Sequence, residues 1–535
     1  MNKYNLPSLL SAGLIWLILV TAALLSRNLM PLDETRYVSV AWEMWIHGDW
    51  LVPHLNGEAY SHKPPLFFWL MHLGWAVFGI NDWWPRLVPA LFQLASVFLA
   101  TRLAQLLWPE SNRVSALVPP LLMTGLFWAA FTATAMFDFL ITFFVLLGVY
   151  GVFIASRYPK RGWITLGIAI GLGILAKGPV ILLHVLPVAL LAPVWLSKPS
   201  QGWFYWYRGI GIAILIGAAI ALSWAIPAAI VGGTEYGSAI FWGQTAGRMV
   251  NSFRHQHPWW WYLPWFPLIL FPWLLWPLLW RGITRLFKTQ YDQGIRFCIT
   301  WITSVFILMS LVSGKQLHYL LPLFPGFALL ASRSLGILSD WKQPVRQWFS
   351  AAILIGTGSL LTALPFIAPQ FSHAPWLIGI SPFWGVLLFV AGLGLWTIPI
   401  QSLKIAIHSL AWSIAIICVV INLSIVSHLG PTHDLTRISR QLAVYQQAQL
   451  PIAHISKYHG QYHFLGRLLK PLDVIRDYQL SDWVKDHPEG MVVVYYSDPS
   501  RQFTIAPEYS QLFRGGSMAI WPGKLLAQQP QRLND

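Results

Sequence analysis

Charged residues are scarce in this chain of 535 residues. Lys, Arg, Asp and Glu together make up only 10% of it, whereas hydrophobic residues make up 56%. Soluble domains carry about 25% charged residues, so the composition excludes an ordinary soluble protein. It also excludes a disulfide scaffold, because the chain has only two cysteines, Cys298 and Cys418, and both lie in apolar runs where buried thiols are expected.

In place of charge, the sequence has repeated apolar runs that are long enough to cross a hydrocarbon core. Together with 32 tryptophans, which favour the membrane interface, these runs predict an all-α polytopic membrane protein with about 13 transmembrane helices. The first run has no A-x-A-like cleavage site, so we expect a retained span rather than a signal peptide. The predicted spans are residues 8–27, 85–107, 115–132, 139–156, 163–176, 179–196, 209–231, 261–280, 297–312, 318–334, 348–368, 380–400 and 405–426.

The distribution of charge predicts how the spans are oriented. The net charge is +15, but the basic residues occur in small groups between spans, which argues against nucleic-acid binding and follows the positive-inside rule. Of the 20 acidic residues, only Glu110, Asp292 and Asp340 then fall on the inner side. The basic residues assigned to inner connections are Arg113, Arg157, Lys160, Arg161, Lys198, Arg208, Arg281, Arg285, Lys288, Arg296, Arg333, Lys342, Arg346 and Lys404.

Two parts of the chain are predicted to lie on the outer face. Residues 1–426 form the membrane domain, and its first outer loop, 28–84, contains an amphipathic helix near 35–47 and an apolar segment at 66–80 that we expect along the interface. Residues 427–535 have ordinary polarity and predict a small α/β domain. Its predicted strands are 452–456, 472–475 and 491–496, and its predicted helices are 434–449 and 479–487.

The outer connections concentrate the residues that could carry chemistry. Ionisable groups close to hydrocarbon are costly and usually functional. Cations suit a lipid-linked phosphate, and a nearby carboxylate can accept a proton from a hydroxyl that attacks an anomeric carbon. These residues therefore predict glycosyl transfer from a lipid-phosphate-linked sugar. The candidate catalytic carboxylates are Asp33 and Asp138. The candidate substrate- and phosphate-binding residues are Arg36, Lys63, Lys177, Arg248, Arg254, Lys315 and Tyr319. The same connections also contain Glu34, His255, His257 and His318.

Most of these residues also have a structural interpretation. Asp33 and Asp138 could be helix N-caps, and Glu34 a capping or solvated acid of a first helical turn. Lys63 and Lys177 could extend to lipid headgroups, as could Arg248 and Arg254. His255 and His257 are spaced as metal ligands on an extended strand, but no third ligand is evident. No cofactor is therefore predicted, and a divalent metal is left open.

Several segments resemble a known family. LDETRYVSVAWEM and GDWLVPHLNGEAYSHKPPLFFWL resemble the first periplasmic loop of bacterial lipid A aminoarabinose transferases, which belong with the protein O-mannosyltransferases to the C-type glycosyltransferase superfamily. Over about the first 330 residues the resemblance continues, in order, through FDFLITFF (137–144), AKGP (176–179), HQHPWWWYLPWFP (255–267) and SGKQLHYLLPLFPGFALL (313–330).

The resemblance implies a C-type fold in a bacterial inner membrane and a periplasm-facing site for an undecaprenyl-phosphate-linked sugar. It implies that Asp33 is the base and that Arg36 and Lys63 contact the carrier phosphate. Asp138 and Lys315 match further site positions of the family. His62 stands where the family usually has Glu, which argues against a family-type metal site.

The acceptor is not determined by these residues. Aminoarabinose to lipid A, a hexose to a glycan, and mannose to protein are all compatible with the motifs. GKQLHY replaces the family's usual GKLPTY at 314–319, which bears on donor or acceptor specificity. The partners predicted are the lipid-linked donor, an acceptor of one of these classes and membrane lipids, with the protein acting as a monomer. A glycolipid transporter or flippase is the competing function, and it predicts ionisable or broken helices near the membrane midplane.

Overall fold

Long apolar helices dominate the structure. The computed structural model describes residues 5–243, 256–289, 291–338, 345–370, 375–400, 402–497 and 505–528. Within these ranges seven helices are long and apolar enough to cross a membrane, which confirms the helical multi-span class. They are Leu6–Ser26, Trp83–Leu107, Asp138–Ala155, Trp203–Gly243, Gln293–Leu311, Trp348–Gln370 and Leu403–Gly430. The count of about 13 spans stays a prediction.

The other predicted spans are shorter or interrupted. The run at 261–280 is not one helix, so the prediction of a continuous helical span at these residues is wrong. Four prolines between 264 and 277 each remove a backbone donor and clash with the preceding turn, which leaves short helices in place of a span. The remaining helices are Asn112–Thr124, Leu126–Ala130, Pro159–Lys177, Val180–Leu190, Ala192–Trp195, Phe266–Ile269, Pro277–Thr289, Phe324–Gly336 and Phe383–Thr397, with 3₁₀ turns at Trp273–Leu275 and Leu317–Leu323.

Charged groups meet at helix ends in two places, and the orientation of these ends in the membrane stays a prediction. At the end assigned to the inner side, the Arg333 guanidinium lies 2.8 Å from the Asp292 carboxylate, and the Trp108 indole N–H donates to the same carboxylate at 3.0 Å. At the other end, the first residue of helix Asp138–Ala155 meets the last residue of helix Pro159–Lys177. These two consecutive helices are therefore antiparallel, as the connection assigned between them requires.

The first loop contains two helices, Asp33–His47 and Leu66–Phe78, joined by the short hairpin His54–Leu55 and Glu58–Ala59. The loop helix, as we call Asp33–His47, ends at Gly48, whose φ of 65° terminates it in a left-handed C-cap. The buried Glu43 carboxylate accepts the backbone N–H groups of Asn56 at 2.6 Å and Gly57 at 2.9 Å. These bonds fix the hairpin against the loop helix.

Glu34 anchors the start of the loop helix. The interpretation of Glu34 as a capping or solvated acid is wrong, because the residue is buried. Its carboxylate forms two bonds to the Arg27 guanidinium, at 2.5 and 3.0 Å, and accepts the backbone N–H groups of Met30 and Ala135. Two loops far apart in the sequence are thereby held together beside Asp33.

The C-terminal region contains a five-stranded sheet in the order Asp473–Ile475, Ile452–Ile455, Met491–Tyr496, Gly516–Pro522, Tyr509–Phe513. The first three strands are parallel and the last two antiparallel. All three predicted strands are present, and helices Thr436–Gln447 and Leu480–Asp486 match the two predicted helices. The last hairpin was not predicted, although its two-residue turn, Arg514–Gly515 with φ of 50° and 84°, is of the kind that glycine favours.

The C-terminal region packs directly on the first loop. The Trp42 indole N–H donates to the Leu468 carbonyl at 2.9 Å, and the Trp75 and Phe464 rings stack with centroids 5.4 Å apart. Asn56 exchanges two hydrogen bonds with the backbone of Leu472. The loop helix, the hairpin and helix Leu66–Phe78 are consequently all in contact with the C-terminal region. That residues 427–535 form a separate domain on the outer face stays a prediction.

We predict that Glu34→Gln lowers the free energy of unfolding by about 3 kcal/mol, because it leaves the Arg27 guanidinium buried without its counter-charge. Burial by itself would raise the pKa of the Glu34 carboxyl, but Arg27 and the two backbone donors outweigh it and hold that pKa below the usual value. The stabilisation is thus present above the ordinary carboxyl pKa and is lost as pH falls through the lowered one.

Unfolding of the purified protein in detergent, followed at pH 7 and at progressively lower pH, measures this effect. The difference between wild type and Glu34→Gln should shrink in acid. Glu58→Gln removes an exposed carboxylate of the same loop and serves as the control, with stability close to wild type. Equal stabilities of the two variants at pH 7 would contradict the anchoring role of Glu34.

Candidate active site

Asp33 and Arg36 form the exposed part of the site. Asp33 is the first residue of the loop helix, and Leu32 occupies the N-cap, so Asp33 is not the cap. The Arg36 guanidinium forms an ion pair with the Asp33 carboxylate one helical turn away. The Asp33 side chain is 52% exposed, whereas Arg36 is only 17% exposed. The carboxylate is therefore reachable while its cation is held in place.

Lys63 approaches the same group of residues from the other end of the first loop. Its ammonium lies 5.9 Å from the centre of the Tyr37 ring and 5.4 Å from that of Phe137. The Arg36 guanidinium lies 5.1 Å from the same Tyr37 ring, and the two rings make an edge-to-face contact. Tyr37 therefore separates two cations that the sequence places 27 residues apart and holds both by cation–π attraction.

Asp138 and Lys177 form a buried ion pair. The Lys177 ammonium donates to the Asp138 carboxylate at 2.6 Å, and the two side chains are 11% and 4% exposed. Phe137, not Asp138, is the N-cap of helix Asp138–Ala155. The Lys177 ammonium also lies 4.7 Å from the centre of the Tyr319 ring. Neither group extends to lipid headgroups, because each is turned into the protein to meet the other.

His318 lies beside the pair of Asp138 and Lys177. Its Nε2 lies 3.9 Å from the Asp138 carboxylate. Sequence reasoning placed His318 in an outer connection but assigned it no role, and it did not consider Tyr37 at all. In the sequence His318 is next to Tyr319, and Tyr37 is next to Arg36. Tyr319 and Arg36 are predicted site residues, so this adjacency was the signal that could have identified His318 and Tyr37.

Lys315 is turned away from these groups. Its ammonium donates to the backbone carbonyls of His257 at 2.9 Å and Val312 at 2.5 Å. Around it, Gln256 and Gly314 form an isolated bridge. In this arrangement Lys315 fastens the segment that begins at Gln256 to the 312–316 connection. That Lys315 contacts an anion stays a prediction.

Four candidates remain: the possible phosphate-binding residues Arg248 and Arg254, and the possible metal ligands His255 and His257. Arg248, Arg254 and His255 fall outside the described residues. His257 is described, and its imidazole stacks on Trp261 with ring centres 4.3 Å apart. Across the described ranges, no three His, Cys, Asp or Glu side chains are placed to hold a metal ion. Cys298 and Cys418 are buried free thiols, as expected.

A cavity of about 420 Å³ opens beside Asp33. Arg27, Glu34, Thr132 and Asn422 contribute to its lining, together with Asp33 itself. The exposed carboxylate thus faces a volume large enough for part of a substrate. The arrangement can hold an anion on paired cations and can accept a proton next to that anion.

Residues 62–228 match the family of dolichyl-phosphate-mannose-protein mannosyltransferases. This stretch begins next to Lys63 and contains Asp138 and Lys177. In overall structure the chain is similar to the crystal structure of ArnT from Cupriavidus metallidurans bound to undecaprenyl phosphate, with a TM-score of 0.73, 17% identity, and 96% of this chain and 97% of that chain covered. The Archaeoglobus fulgidus oligosaccharyltransferase gives a TM-score of 0.51 at 12% identity, with 92% and 70% covered.

Similar sequences are undecaprenyl phosphate-alpha-4-amino-4-deoxy-L-arabinose arabinosyl transferases. That of Pseudomonas fluorescens strain Pf0-1 is 31% identical over 349 residues, which cover 62% of this chain and 58% of that protein. That of Pseudomonas paraeruginosa strain PA7 is 30% identical over 429 residues, which cover 75% of this chain and 73% of that protein. The chain therefore belongs to this arabinosyl transferase family, within the integral membrane glycosyltransferases that use polyprenyl-phosphate-linked sugars.

Proposed function

We propose that the protein is an inner-membrane glycosyltransferase that moves a sugar from an undecaprenyl-phosphate-linked donor to lipid A or another periplasmic acceptor. The observation that carries the proposal is the half-exposed Asp33 carboxylate beside the two cations, Arg36 and Lys63, that share Tyr37. The activity of the Pseudomonas relatives supports the same donor, as does the undecaprenyl phosphate bound by the structural neighbour.

The reaction is a displacement at the anomeric carbon of the donor sugar. An acceptor hydroxyl attacks this carbon while Asp33 takes up the hydroxyl proton, so that the attacking oxygen carries no positive charge in the product. The bond between the anomeric carbon and the phosphate oxygen breaks, and undecaprenyl phosphate leaves with the electron pair. Arg36 and Lys63 stabilise the negative charge that builds up on that phosphate.

Asp138 and Lys177 serve this reaction in a different way. Their ion pair is buried, so Asp138 has a fixed proton-bearing partner and is less suited than Asp33 to take a proton from a substrate. We assign Asp138 to positioning: it orients the Lys177 ammonium against Tyr319 and beside His318. Because the pair carries no net charge, its proposed role is to hold Tyr319 and His318 in place rather than to attract the phosphate.

A glycolipid transporter fits these observations less well. Transport needs ionisable groups or broken helices near the membrane midplane. Here the charged residues of the site lie where spans begin and end, namely at Asp138, at Lys177 and in the first loop. A protein O-mannosyltransferase activity shares the donor chemistry and differs only in the acceptor. Mass spectrometry of envelope lipids and glycans from cells with and without the protein identifies the transferred group and its acceptor.

Asp33→Asn should lower the rate of sugar transfer by about 10²-fold or more, because the amide cannot take up the acceptor proton. The measurement is product formation by the purified protein with an undecaprenyl-phosphate-linked sugar and a bacterial lipid extract. Unfolding temperature should stay near that of wild type, since Asp33 is half-exposed. Glu58→Gln, which removes an exposed carboxylate of the same loop, should keep full activity. Normal turnover by Asp33→Asn would exclude this residue as the base.

Lys63→Ala should weaken binding of undecaprenyl phosphate by about tenfold or more, because one charge-assisted contact to the phosphate is lost. Lys63→Arg keeps the charge and should weaken binding less. Titration of undecaprenyl phosphate into detergent-solubilised protein gives the dissociation constants. Lys160→Ala, which changes an exposed lysine at the opposite end of the helices, is the control. Equal affinities for all four proteins would remove Lys63 from the phosphate site.

A further inference from the structure

Helix Pro277–Thr289, which we call the boundary helix, is too short to cross the membrane. Its 13 residues extend about 20 Å, whereas the hydrocarbon core is about 30 Å thick. Only three residues separate it from helix Gln293–Leu311, which is long enough to span the membrane. Gly282 packs so closely on helix Phe324–Gly336 that an added Cβ would lie 2.6 Å from the Ser334 carbonyl oxygen. The boundary helix is therefore held at the end of the membrane helices.

A complete span lies between the boundary helix and the proposed active site. Helix Gln293–Leu311 has 19 residues and is about 28 Å long. Asp292 precedes it, and the connection that follows it leads to His318, which lies 3.9 Å from the Asp138 carboxylate. The boundary helix is thus at the end of this span that lies away from the reacting groups. None of its residues takes part in the reaction described above.

One side of the boundary helix is packed against the protein. Leu279 and Leu286 are 6% and 2% exposed, and Gly282 lies between them in the sequence. Spacings of three and four residues place all three on the same side of a helix. Because this side is buried, the rotation of the helix about its axis is fixed, and its other sides face outwards.

Two aromatic side chains form a second side of the boundary helix. Trp280 is 47% and Phe287 is 56% exposed, and their spacing of seven residues places them on one side, two turns apart. The Trp280 indole N–H donates to the Leu274 carbonyl at 2.7 Å, and the Tyr291 ring lies 6.1 Å from that of Phe287. Tryptophan and tyrosine are enriched where hydrocarbon meets the lipid headgroups, so this side suits the edge of the acyl-chain region.

Basic residues form the third side of the boundary helix. Arg281, Arg285 and Lys288 are all exposed, and their spacings of four and three residues align them along the helix. The helix contains no Asp or Glu. The first acid after it, Asp292, forms an ion pair with Arg333. The boundary helix therefore carries three positive charges along one exposed side.

Contact with water alone does not account for this arrangement. A basic helix in water needs no large apolar side chains beside its cations, and the exposure of Trp280 and Phe287 to water costs free energy. A small anion in solution would pair with the cations but would leave the two rings in water. A membrane surface with anionic headgroups satisfies both sides at once. Basic residues on one side and aromatic residues on another are typical of helices that lie in the membrane interface.

We propose that the boundary helix is a binding surface for anionic phospholipids of the leaflet that borders it. Trp280 and Phe287 contact the acyl chains close to the headgroups, and Arg281, Arg285 and Lys288 contact the lipid phosphates. The charge pattern assigns this end of the spans to the inner side, and anionic lipids of the cytoplasmic leaflet attract basic segments. The inference concerns how the protein is held in the membrane and does not depend on the proposed sugar transfer.

The probes are phosphatidylglycerol, phosphatidylcholine and inorganic phosphate, each titrated into the purified protein in detergent while the unfolding temperature is followed. A ligand that binds only the folded state raises this temperature by mass action. Phosphatidylglycerol should raise it, whereas phosphatidylcholine and inorganic phosphate should not. The triple substitution Arg281→Gln, Arg285→Gln and Lys288→Gln should weaken the affinity for phosphatidylglycerol by about 10²-fold, because each basic residue near an anionic surface contributes about fivefold.

The matched control is Arg437→Gln with Arg440→Gln and Lys457→Gln. It removes two exposed arginines and one exposed lysine of the C-terminal region, lowers the net charge equally, and should keep the wild-type affinity for phosphatidylglycerol. Arg281→Lys with Arg285→Lys keeps the charges of the boundary helix and should also bind like wild type. Raised ionic strength tests the same contact without a substitution, and it should weaken the binding of phosphatidylglycerol to wild type.

An unchanged affinity for phosphatidylglycerol in the triple variant, or an equal loss in the C-terminal control, would overturn the proposal. Equal stabilisation by phosphatidylcholine would do the same, as would stabilisation by inorganic phosphate, which would indicate a site for the free anion. Sugar transfer is not measured in these experiments. A protein that binds phosphatidylglycerol through the boundary helix but transfers no sugar would therefore support this inference while contradicting the proposed function.

Discussion

The structure depends on one electrostatic constraint: a charge carried to the edge of the hydrocarbon region needs a partner inside the protein. Three pairs satisfy it, namely Arg27 with Glu34, Lys177 with Asp138 and Arg333 with Asp292. Each pair joins segments that are distant along the chain or belong to different helices. The pairs therefore help to fix how the helices and the first loop meet.

The constraint also explains why Asp33 differs from the other carboxylates of the site. Glu34 and Asp138 are buried, and each forms an ion pair, whereas Asp33 is half-exposed and faces a cavity. A base must be able to release its cation and take a proton, and only an accessible carboxylate can do this without leaving a buried charge unpaired. The buried pairs thus build the walls within which Asp33 can react.

The C-terminal region contributes to the same architecture. Its contacts with Trp42 of the loop helix, Asn56 of the hairpin and Trp75 of helix Leu66–Phe78 join it to the first loop. The Asn28 side-chain amide also donates to the Asp434 carboxylate at 2.9 Å, which joins the end of the first helix to the C-terminal region.

The sequence by itself determined the helical membrane class, the loop helix and three strands of the C-terminal sheet. These follow from hydrophobic run length and local periodicity, which are properties of neighbouring residues. Only the tertiary structure decided the break-up of residues 261–280, the burial of Glu34, the hydrogen bonds of Lys315 to backbone carbonyls and the contact of Lys63 with Tyr37. Burial and pairing depend on which distant segments pack together, and this cannot be inferred from the pattern of neighbouring residues.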